Sequence, residues 1–350
     1  GSVAGIHGWP RTTRVHTHVH ALDIAARQEE LNYPPGRHYS YTNTGYNLQA
    51  MLVERVTGAP FADFTKERLF EPLGMTRTEW RDDFTRVVED RSIAYRPDRD
   101  ARGGFRMDMP FENVHGNGGL LTTVGDLLRW TRNLETGEVG GPRFLEEMHR
   151  QGVLTNGRTI DYASGLVLGS YRGVPEVQHG GATAGYRAFL TRFPDQGVAV
   201  ALLCNRADAS SGGLAHRVAD VFLGDAVEPG RVAGAEPAGE AAGAVEIDPA
   251  VLEALAGTYR NTRTHEAIRL EAGDGRLLYA GRFPLEPISE SAFRIGSGRL
   301  EVVQTDHDRA PLLRVDGGDT IRYEPVADFD PSPADLEEYA GAYHSPEAEV

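Results

Sequence analysis

The sequence predicts an α+β fold, in which an antiparallel sheet flanked by helices is followed by a small all-β, barrel-like domain. Apolar residues recur at helical spacing up to residue 134, and from residue 176 they alternate along strand-like segments. After a stretch rich in Ala, Gly, Pro and Glu, the alternation resumes around Asp-Gly and Gly-Gly-Asp turns. With 350 residues the chain exceeds the usual size of one core, so a large domain and a smaller one are expected.

Composition excludes several classes of partner. The chain is 40% hydrophobic and 25% charged, as in ordinary globular proteins, and its net charge of −15 argues against binding to nucleic acids or anionic membranes. No apolar run approaches the roughly 18 residues that a membrane span needs. Cys204 is the only cysteine, which excludes an internal disulfide, and in VAVALLC it is expected to be a small buried hydrophobe. The compartment and the oligomeric state stay open.

Three helices are predicted in the first part of the chain. Residues 46–56 carry apolar side chains at helical spacing, and Gly58 follows where a left-handed C-cap would fall. Residues 61–70 form a second, shorter helix. A third begins at Thr123, where Asp126 is expected to complete a capping box. These helices are expected to supply core and no chemistry.

Strand-like segments follow at residues 176–179, 186–193 and 197–204. The turn Pro-Asp-Gln-Gly joins the last two, so the sheet is expected to be antiparallel. A helix after the last strand is predicted to cover the sheet through an apolar stripe. The stripe consists of Leu214, Val218, Val221 and Phe222.

The rest of the chain divides by composition and by an internal repeat. The string LEALAGTYR at residues 252–260 recurs as LEEYAGAYH at residues 336–344, close to the last printed residue. This favours a chain cut from a longer protein at its C-terminus. The expected divisions are a main domain at 1–224, an Ala-, Gly- and Pro-rich linker at 225–247, a small β domain at 248–335 and a truncated second repeat at 336–350.

The string PPGRHYSYTNTGYNL places Tyr41 and Asn43 directly before a predicted helix. A tyrosine close to cationic groups can have a lowered pKa and so exchange protons with a nucleophile or a leaving group. An amide side chain two residues later can donate to a substrate carbonyl and accept from a lysine. Taken alone the pattern is weak, because both residue types also cap and pack helix starts.

The string VQHGGATAGY is the second candidate motif, with His179 expected at the end of a strand. The glycines Gly180 and Gly181 allow a substrate to approach the strand edge closely, and the amide N–H of Ala182 can then donate to a developing oxyanion. His179 can bind a tyrosine or a substrate carboxylate, depending on its protonation. This motif is also weak alone, because glycine pairs mostly mark turns.

Together with their long flanking strings, the two motifs resemble the β-lactamase-related, penicillin-binding-protein-like serine hydrolases. The resemblance covers roughly residues 20–224 and includes the closing string PLGM, and GNGGLLTTVGDLLRW is similar to another stretch of that family. It implies a β-lactamase/transpeptidase-like fold, incomplete at the N-terminus. It also implies Tyr41 as proton shuttle, Asn43 as contact to substrate and lysine, and His179 in place of the lysine of Lys-Thr-Gly. A histidine there is more usual in the esterase and D-aminopeptidase branches.

One departure from the family pattern limits this interpretation. The nucleophile and base of such enzymes lie in Ser-x-x-Lys, but the only lysine is Lys66, and the residue three positions before it is Asp63. The first hypothesis is therefore a parent protein that hydrolyses a small ester, amide or D-amino-acid peptide, with this chain inactive by itself. The alternative is a catalytically silent relative that binds a ligand or partner in the same cleft. Neither hypothesis requires a cofactor.

A metal site is a further hypothesis for RVHTHVHAL. On a strand, His16, His18 and His20 would share one face, and imidazole is a common transition-metal ligand. No carboxylate or cysteine at matching spacing completes the set, and Asp23 opens a predicted helix that ends at Leu31. A solvated loop is therefore preferred, and no metal is assigned.

Overall fold

The structure, a computed structural model, describes residues 15–111, 113–227, 247–263, 266–273, 275–280, 283–289, 291–295, 298–303, 310–316, 319–327 and 332–338. The predicted fold class is confirmed, since helices and an antiparallel sheet precede an all-β sheet. Most of the predicted linker and of the truncated repeat lies outside the described residues, so the domain bounds stay predictions.

The helices in these residues are α1 (His18–Ala26), α2 (Asn43–Thr57), α3 (Phe61–Thr65, continued by a π-helical turn at Lys66–Phe70), α4 (Val124–Thr136), α5 (Gly141–His149), α6 (Ser211–Leu223), α7 (Pro249–Leu255) and α8 (Pro333–Glu338). None of them is long and apolar enough to cross a bilayer. The short strands before the main sheet are β1 (Glu79–Trp80), β2 (Tyr95–Pro97), β3 (Phe105–Met107) and β4 (Leu120–Leu121).

The main sheet has four antiparallel strands in the order β5 (Val167–Tyr171), β6 (Val174–Thr183), β7 (Tyr186–Phe193) and β8 (Val198–Cys204). The helix α6 covers one face, as predicted, but through Ala215, Ala219 and Leu223. The small alanines let α6 approach the large aromatic side chains of the sheet, among them the fully buried Phe193.

The predicted apolar stripe of α6 is wrong. Val218, Val221 and Phe222 are exposed, and Phe222 keeps 70% of its surface open to solvent. The predicted stripe consists of large apolar residues, but the face that packs closely against the sheet carries Ala215, Ala219 and Leu223.

The ends of two helices agree with the prediction. Gly58 caps α2 with a left-handed backbone (φ 73°), and Thr123 caps α4 by accepting a hydrogen bond from the amide of Asp126. The capping box is only half formed, however. The carboxylate of Asp126 accepts from the amide of Arg77 and from the hydroxyl of Thr78, and so ties α4 to the segment before β1.

The N-terminal histidines do not lie on a strand, because α1 begins at His18 and ends at Ala26, whereas the predicted helix ran from Asp23 to Leu31. The amide of Thr17 donates to Nδ1 of His20 at 3.2 Å, so the imidazole takes the place of the acidic side chain in a capping box. Helix capping therefore overrides the alternating pattern.

The C-terminal sheet contains β9 (Gly257–Asn261), β10 (Ala267–Gly273), β11 (Arg276–Tyr279), β12 (Phe283–Pro284), β13 (Glu286–Ser289), β14 (Ala292–Ile295), β15 (Gly298–Val302), β16 (Leu312–Asp316) and β17 (Asp319–Pro325). Its edge strands are β12 and β13. Since only Leu285 separates these two strands in the chain, the sheet curls until its edges meet. This is the predicted barrel-like architecture, and its core includes the buried Tyr259, Phe293 and Leu300.

The internal repeat begins alike in both copies. Asp248 caps α7 by accepting from the amide of Ala250, and the Ser332 hydroxyl accepts from the amide of Asp335 at the start of α8. The rest of the second copy, after Glu338, lies outside the described residues.

Candidate functional site

A cleft of about 1210 Å³ brings all six candidate residues together, although they come from opposite ends of the main domain. Its lining combines the start of α2, the loop before β4 and one edge of the main sheet. The candidate residues in the lining are Tyr41, Asn43, His179, Gly180, Gly181 and Ala182.

Tyr41 stands two residues before α2, in the extended segment that leads into the helix cap Thr42. Its ring centroid lies 6.1 Å from that of His179 and 5.8 Å from that of Tyr162. With 48% of its surface exposed, Tyr41 is accessible to a molecule in the cleft. The two motifs therefore converge at the level of ring contacts.

His179 lies inside β6 and not at a strand end, because β6 extends to Thr183, beyond the predicted end at residue 179. On one side β6 pairs with β7 throughout residues 177–183. On the other side the register with β5 stops at Gln178. Within the described residues, the edge from His179 to Thr183 therefore has no strand partner and borders the cleft.

Two hydrogen bonds decide the tautomer of His179. Its Nδ1 lies 2.6 Å from the carbonyl oxygen of Gly180, which can only accept, so Nδ1 carries the proton. In the neutral ring the lone pair is then on Nε2, which lies 3.3 Å from the Tyr162 hydroxyl. That hydroxyl therefore donates to Nε2.

Asn43 is the first residue of α2 and lines the cleft, although only 9% of its surface is exposed. One turn later, the fully buried Asn47 accepts a hydrogen bond from the amide of Asn117 at 3.2 Å. This bond ties α2 to the loop before β4. Gly116 in that loop has φ 108°, and a Cβ there would lie 2.8 Å from the carbonyl oxygen of Tyr46, so the close approach requires glycine.

Tyr162 is a site residue that the sequence analysis missed. It lies in the loop before β5, where its carbonyl accepts from the amide of Gly152, and its ring also contacts that of Tyr39 at 5.7 Å. Tyr46 shares a side-chain hydrogen bond with it. No local pattern around Tyr162 distinguishes it from an ordinary loop tyrosine, because its partners are all distant in sequence.

The phenol pKa values of the two cleft tyrosines are both raised. Burial, followed by the neighbouring Tyr46, raises the pKa of Tyr41 above its ordinary value. Burial, followed by the hydrogen bond with Tyr46, strongly raises the pKa of Tyr162. A nearby cation can lower the pKa of such a tyrosine, but burial and neighbouring phenols are what shift the pKa of these two rings. Both phenols are protonated at neutral pH.

Cys204, expected to be a buried hydrophobe, lies at the end of β8, where it is only partly buried and lines the cleft. It pairs in register with Arg187 of β7. Its position at the end of the strand, where the sheet opens into the cleft, explains the exposure.

Known proteins resemble this chain in sequence. The family model described as Beta-lactamase matches residues 7–222. A D-aminopeptidase of Cereibacter sphaeroides is 28% identical over 333 residues, which cover 94% of this chain and 59% of that protein. A penicillin-binding protein of Bacillus subtilis is 29% identical over 196 residues, which cover 50% of this chain and 41% of that protein. The chain thus spans less than two thirds of the length of these relatives.

A solved structure agrees at the level of the fold. The octameric penicillin-binding protein homologue from Pyrococcus abyssi superposes with a TM-score of 0.57 at 20% identity, covering 92% of this chain and 73% of that one. At this identity the likeness shows the fold alone.

Proposed function

The chain belongs to the beta-lactamase family, and on that premise we propose that its cleft is the substrate side of a serine hydrolase. The whole protein would hydrolyse a small amide, ester or D-amino-acid peptide through an acyl-enzyme. The observation that carries this proposal is the 6.1 Å approach of the Tyr41 and His179 rings beside an unpaired strand edge. The amide is the favoured substrate, because the matched relatives include D-aminopeptidases.

Tyr41 is proposed as the residue that moves a proton in this cleft. With its pKa raised, the phenol is protonated at rest and can donate to a leaving group. Taking a proton from a serine would require a cation close by, since a positive charge stabilises the phenolate. The lysine of a Ser-x-x-Lys motif would supply that charge, and we propose that the whole protein carries this motif outside the residues printed here.

His179 is proposed as a substrate contact whose orientation Tyr162 controls. In the observed tautomer both ring nitrogens already have partners, Gly180 for Nδ1 and Tyr162 for Nε2. A substrate carboxylate can bind once the ring is protonated and the Tyr162 hydroxyl turns away, because Nε2 then becomes a donor. Tyr162 is thus a positioning residue.

The unpaired edge of β6 is proposed to bind the substrate backbone. An extended peptide can add to an exposed sheet edge through main-chain hydrogen bonds. Gly180 and Gly181 carry no side chain that would hold the peptide away, and both are exposed. The amide N–H of Ala182 is the proposed oxyanion donor.

The test uses the whole protein encoded by the native gene. A fluorophosphonate or a fluorescent β-lactam should label it, and a D-alanine anilide should be hydrolysed. The 350-residue chain alone should give no turnover. For a Tyr41→Phe variant of the whole protein, Tyr95→Phe is the matched control, because Tyr95 is an exposed tyrosine that is not among the residues lining the cleft. A whole protein without Ser-x-x-Lys and without labelling would contradict the proposal.

The second candidate function is ligand binding without catalysis. It is favoured by the absence of Ser-x-x-Lys from the 350 residues and by the raised pKa of Tyr41. Calorimetry with a D-dipeptide would detect such binding in this chain. Measurable hydrolysis by the same 350-residue chain would exclude the silent protein.

A further inference from the structure

Three potential metal ligands meet away from the lining of the cleft. His18 is the first residue of α1, Glu54 lies in the last turns of α2, and His115 lies in the loop before β4. One ring nitrogen of each histidine and one carboxylate oxygen all lie within 4.8 Å of one another. Among the described residues, this trio is the group that could hold a metal ion. It shares only His18 with the set of His16, His18 and His20 that the sequence suggested.

His115 supplies an independent observation that points to a ligand. Its side chain is buried, with 7% of the residue exposed, and neither Nδ1 nor Nε2 has a hydrogen-bond partner among the described residues. Buried polar groups without a partner are rare and call for an explanation such as a bound ion.

The other two residues are already oriented in the way that metal ligands are. Nε2 of His18 lies 2.7 Å from the carbonyl oxygen of His115, and 3.1 Å from the amide nitrogen of the same residue. When Nε2 donates to the carbonyl, which is the shorter of these two contacts, Nδ1 holds the lone pair and can bind a metal. A histidine ligand usually donates its second N–H to such a carbonyl.

Glu54 is fixed through one oxygen only. Its Oε1 accepts from the amide of Phe61 at 3.0 Å, which leaves Oε2 available to a cation. A carboxylate held in this way needs no large rearrangement to bind, and its charge offsets part of the charge of a divalent ion.

Aromatic rings pack against His115. Phe61 stacks on His115 with centroids 5.9 Å apart, and Trp80 lies 5.8 Å from it. The rings of His18 and His115 are 4.2 Å apart. In a tetrahedral zinc site the ligand atoms lie about 3.4 Å from one another, so the present spacing must close by at most about 1.5 Å.

We propose that His18, Glu54 and His115 bind one divalent transition-metal ion, and that Zn²⁺ is the ion this set of ligands suits best. The ion would fasten α1 and the loop before β4 to α2. Because Asn117, Gly118 and Gly119 of that loop line the cleft, the ion would stabilise one wall of the cleft from behind. Its role is structural, and the inference does not depend on the proposed hydrolase activity.

The experiment uses the 350-residue chain after removal of metal with a chelator. Zn²⁺ is titrated against a chromophoric competitor, and Co²⁺ is added separately to obtain a visible spectrum of a four-coordinate ion. We expect one ion per chain and a rise in Tm with Zn²⁺, since an ion that binds only the folded state stabilises it.

Glu54→Gln is the decisive variant, because glutamine keeps an acceptor for the Phe61 amide while it removes the charge. We expect the Zn²⁺ affinity to fall about tenfold or more and the rise in Tm to disappear. Glu71→Gln is the matched control and should bind as the unchanged chain does, because Glu71 is exposed and its carboxylate pairs with Lys66 at 4.0 Å. His115→Gln serves as a second variant, with circular dichroism to establish that it folds.

Three results would overturn the proposal. The first is the absence of stoichiometric binding by the unchanged chain. The second is equal Zn²⁺ affinity of the Glu54→Gln and Glu71→Gln variants. The third is loss of binding in a His20→Gln variant with no loss in His115→Gln, because the ion would then belong to the clustered N-terminal histidines.

Discussion

Two histidines on opposite faces of β6 occupy contrasting environments. His216 of α6 lies against the buried Glu176, with 2.6 Å between Nε2 and Oε1, and stacks on Tyr171 at 4.0 Å. His179 has only a phenol and a backbone carbonyl as partners, and it borders an open cleft. Glu176 and His179 are three positions apart, so alternation along the strand sends their side chains to opposite faces.

The difference distinguishes a histidine that is bound to a buried carboxylate from one that is accessible to a ligand in the cleft. The Oε1 atom of the buried Glu176 accepts from both His216 and the hydroxyl of Thr191, so this oxygen is engaged inside the protein. The partners of His179 are neutral and can be exchanged for a ligand at modest cost. We therefore expect substitutions on the α6 face to change stability and substitutions on the cleft face to change activity.

The largest expected effect is on catalysis by the whole protein. Tyr41→Phe should lower kcat/KM by about 100-fold or more, because loss of a general acid or base typically costs that much. The free energy of unfolding should change little, since the residue is half exposed. Steady-state hydrolysis of a D-alanine anilide measures the first effect and urea denaturation the second. Equal activity of Tyr41→Phe and Tyr95→Phe would contradict the expectation that substitutions on the cleft face change activity.

The next effect is on stability. Glu176→Ala should lower the free energy of unfolding by about 3 kcal/mol, because it leaves the partners of a buried carboxylate unsatisfied. Glu176→Gln keeps an acceptor and should cost less. Urea denaturation of the 350-residue chain measures both variants. A change below that of a surface substitution would show that the His216 face is not the structural one.

Tyr162→Phe tests the cleft face more finely. Removing the donor to His179 should cost about 1 kcal/mol and lower kcat/KM of the whole protein about fivefold. Nitrogen NMR of the imidazole should show a larger share of the tautomer protonated on Nε2, which a purely structural role of Tyr162 would not produce. An unchanged tautomer ratio would argue that the Gly180 carbonyl alone orients the ring.

The smallest effect concerns alkaline pH. The pKa of Tyr162 is raised by burial and by Tyr46, and that of Tyr171 by burial and by Asp220. Above about pH 10 the unfolded chain loses phenolic protons that the folded chain retains, so stability is full below that pH and falls as the pH rises. Tyr162→Phe and Tyr171→Phe should each flatten the fall, measured as urea midpoints between pH 8 and pH 11. A steeper fall in either variant would contradict the sign.

The sequence predicted those parts of the molecule that depend on local patterns. Gly58 and Thr123 mark helix ends because capping is decided within a few residues. Tyr41 and His179 were identified from motifs with long matching flanks, and the structure brings them into one cleft, while their catalytic role stays a proposal. In each case the signal that identified the residue lies within one short stretch of sequence.

What the sequence could not predict depends on contacts between distant segments. Tyr162 has no local signal, and its link to His179 exists only once β5 and β6 pair. Glu54 and His115 are 61 positions apart and meet only because α2 packs beside the loop before β4. The apolar stripe of α6 was misplaced because close packing against large aromatic rings favours alanine over larger side chains.

Because β5 ends early, the length of the unpaired edge of β6 can be calculated. On the side away from β7, five residues of β6, from His179 to Thr183, are left without a described strand partner, which at about 3.3 Å per residue is a track of about 16 Å. An oligopeptide aligned along this track would reach its end after about five residues. On the proposed function, we expect a peptide of about five residues to fill the track, and longer peptides to gain no further main-chain bonds there.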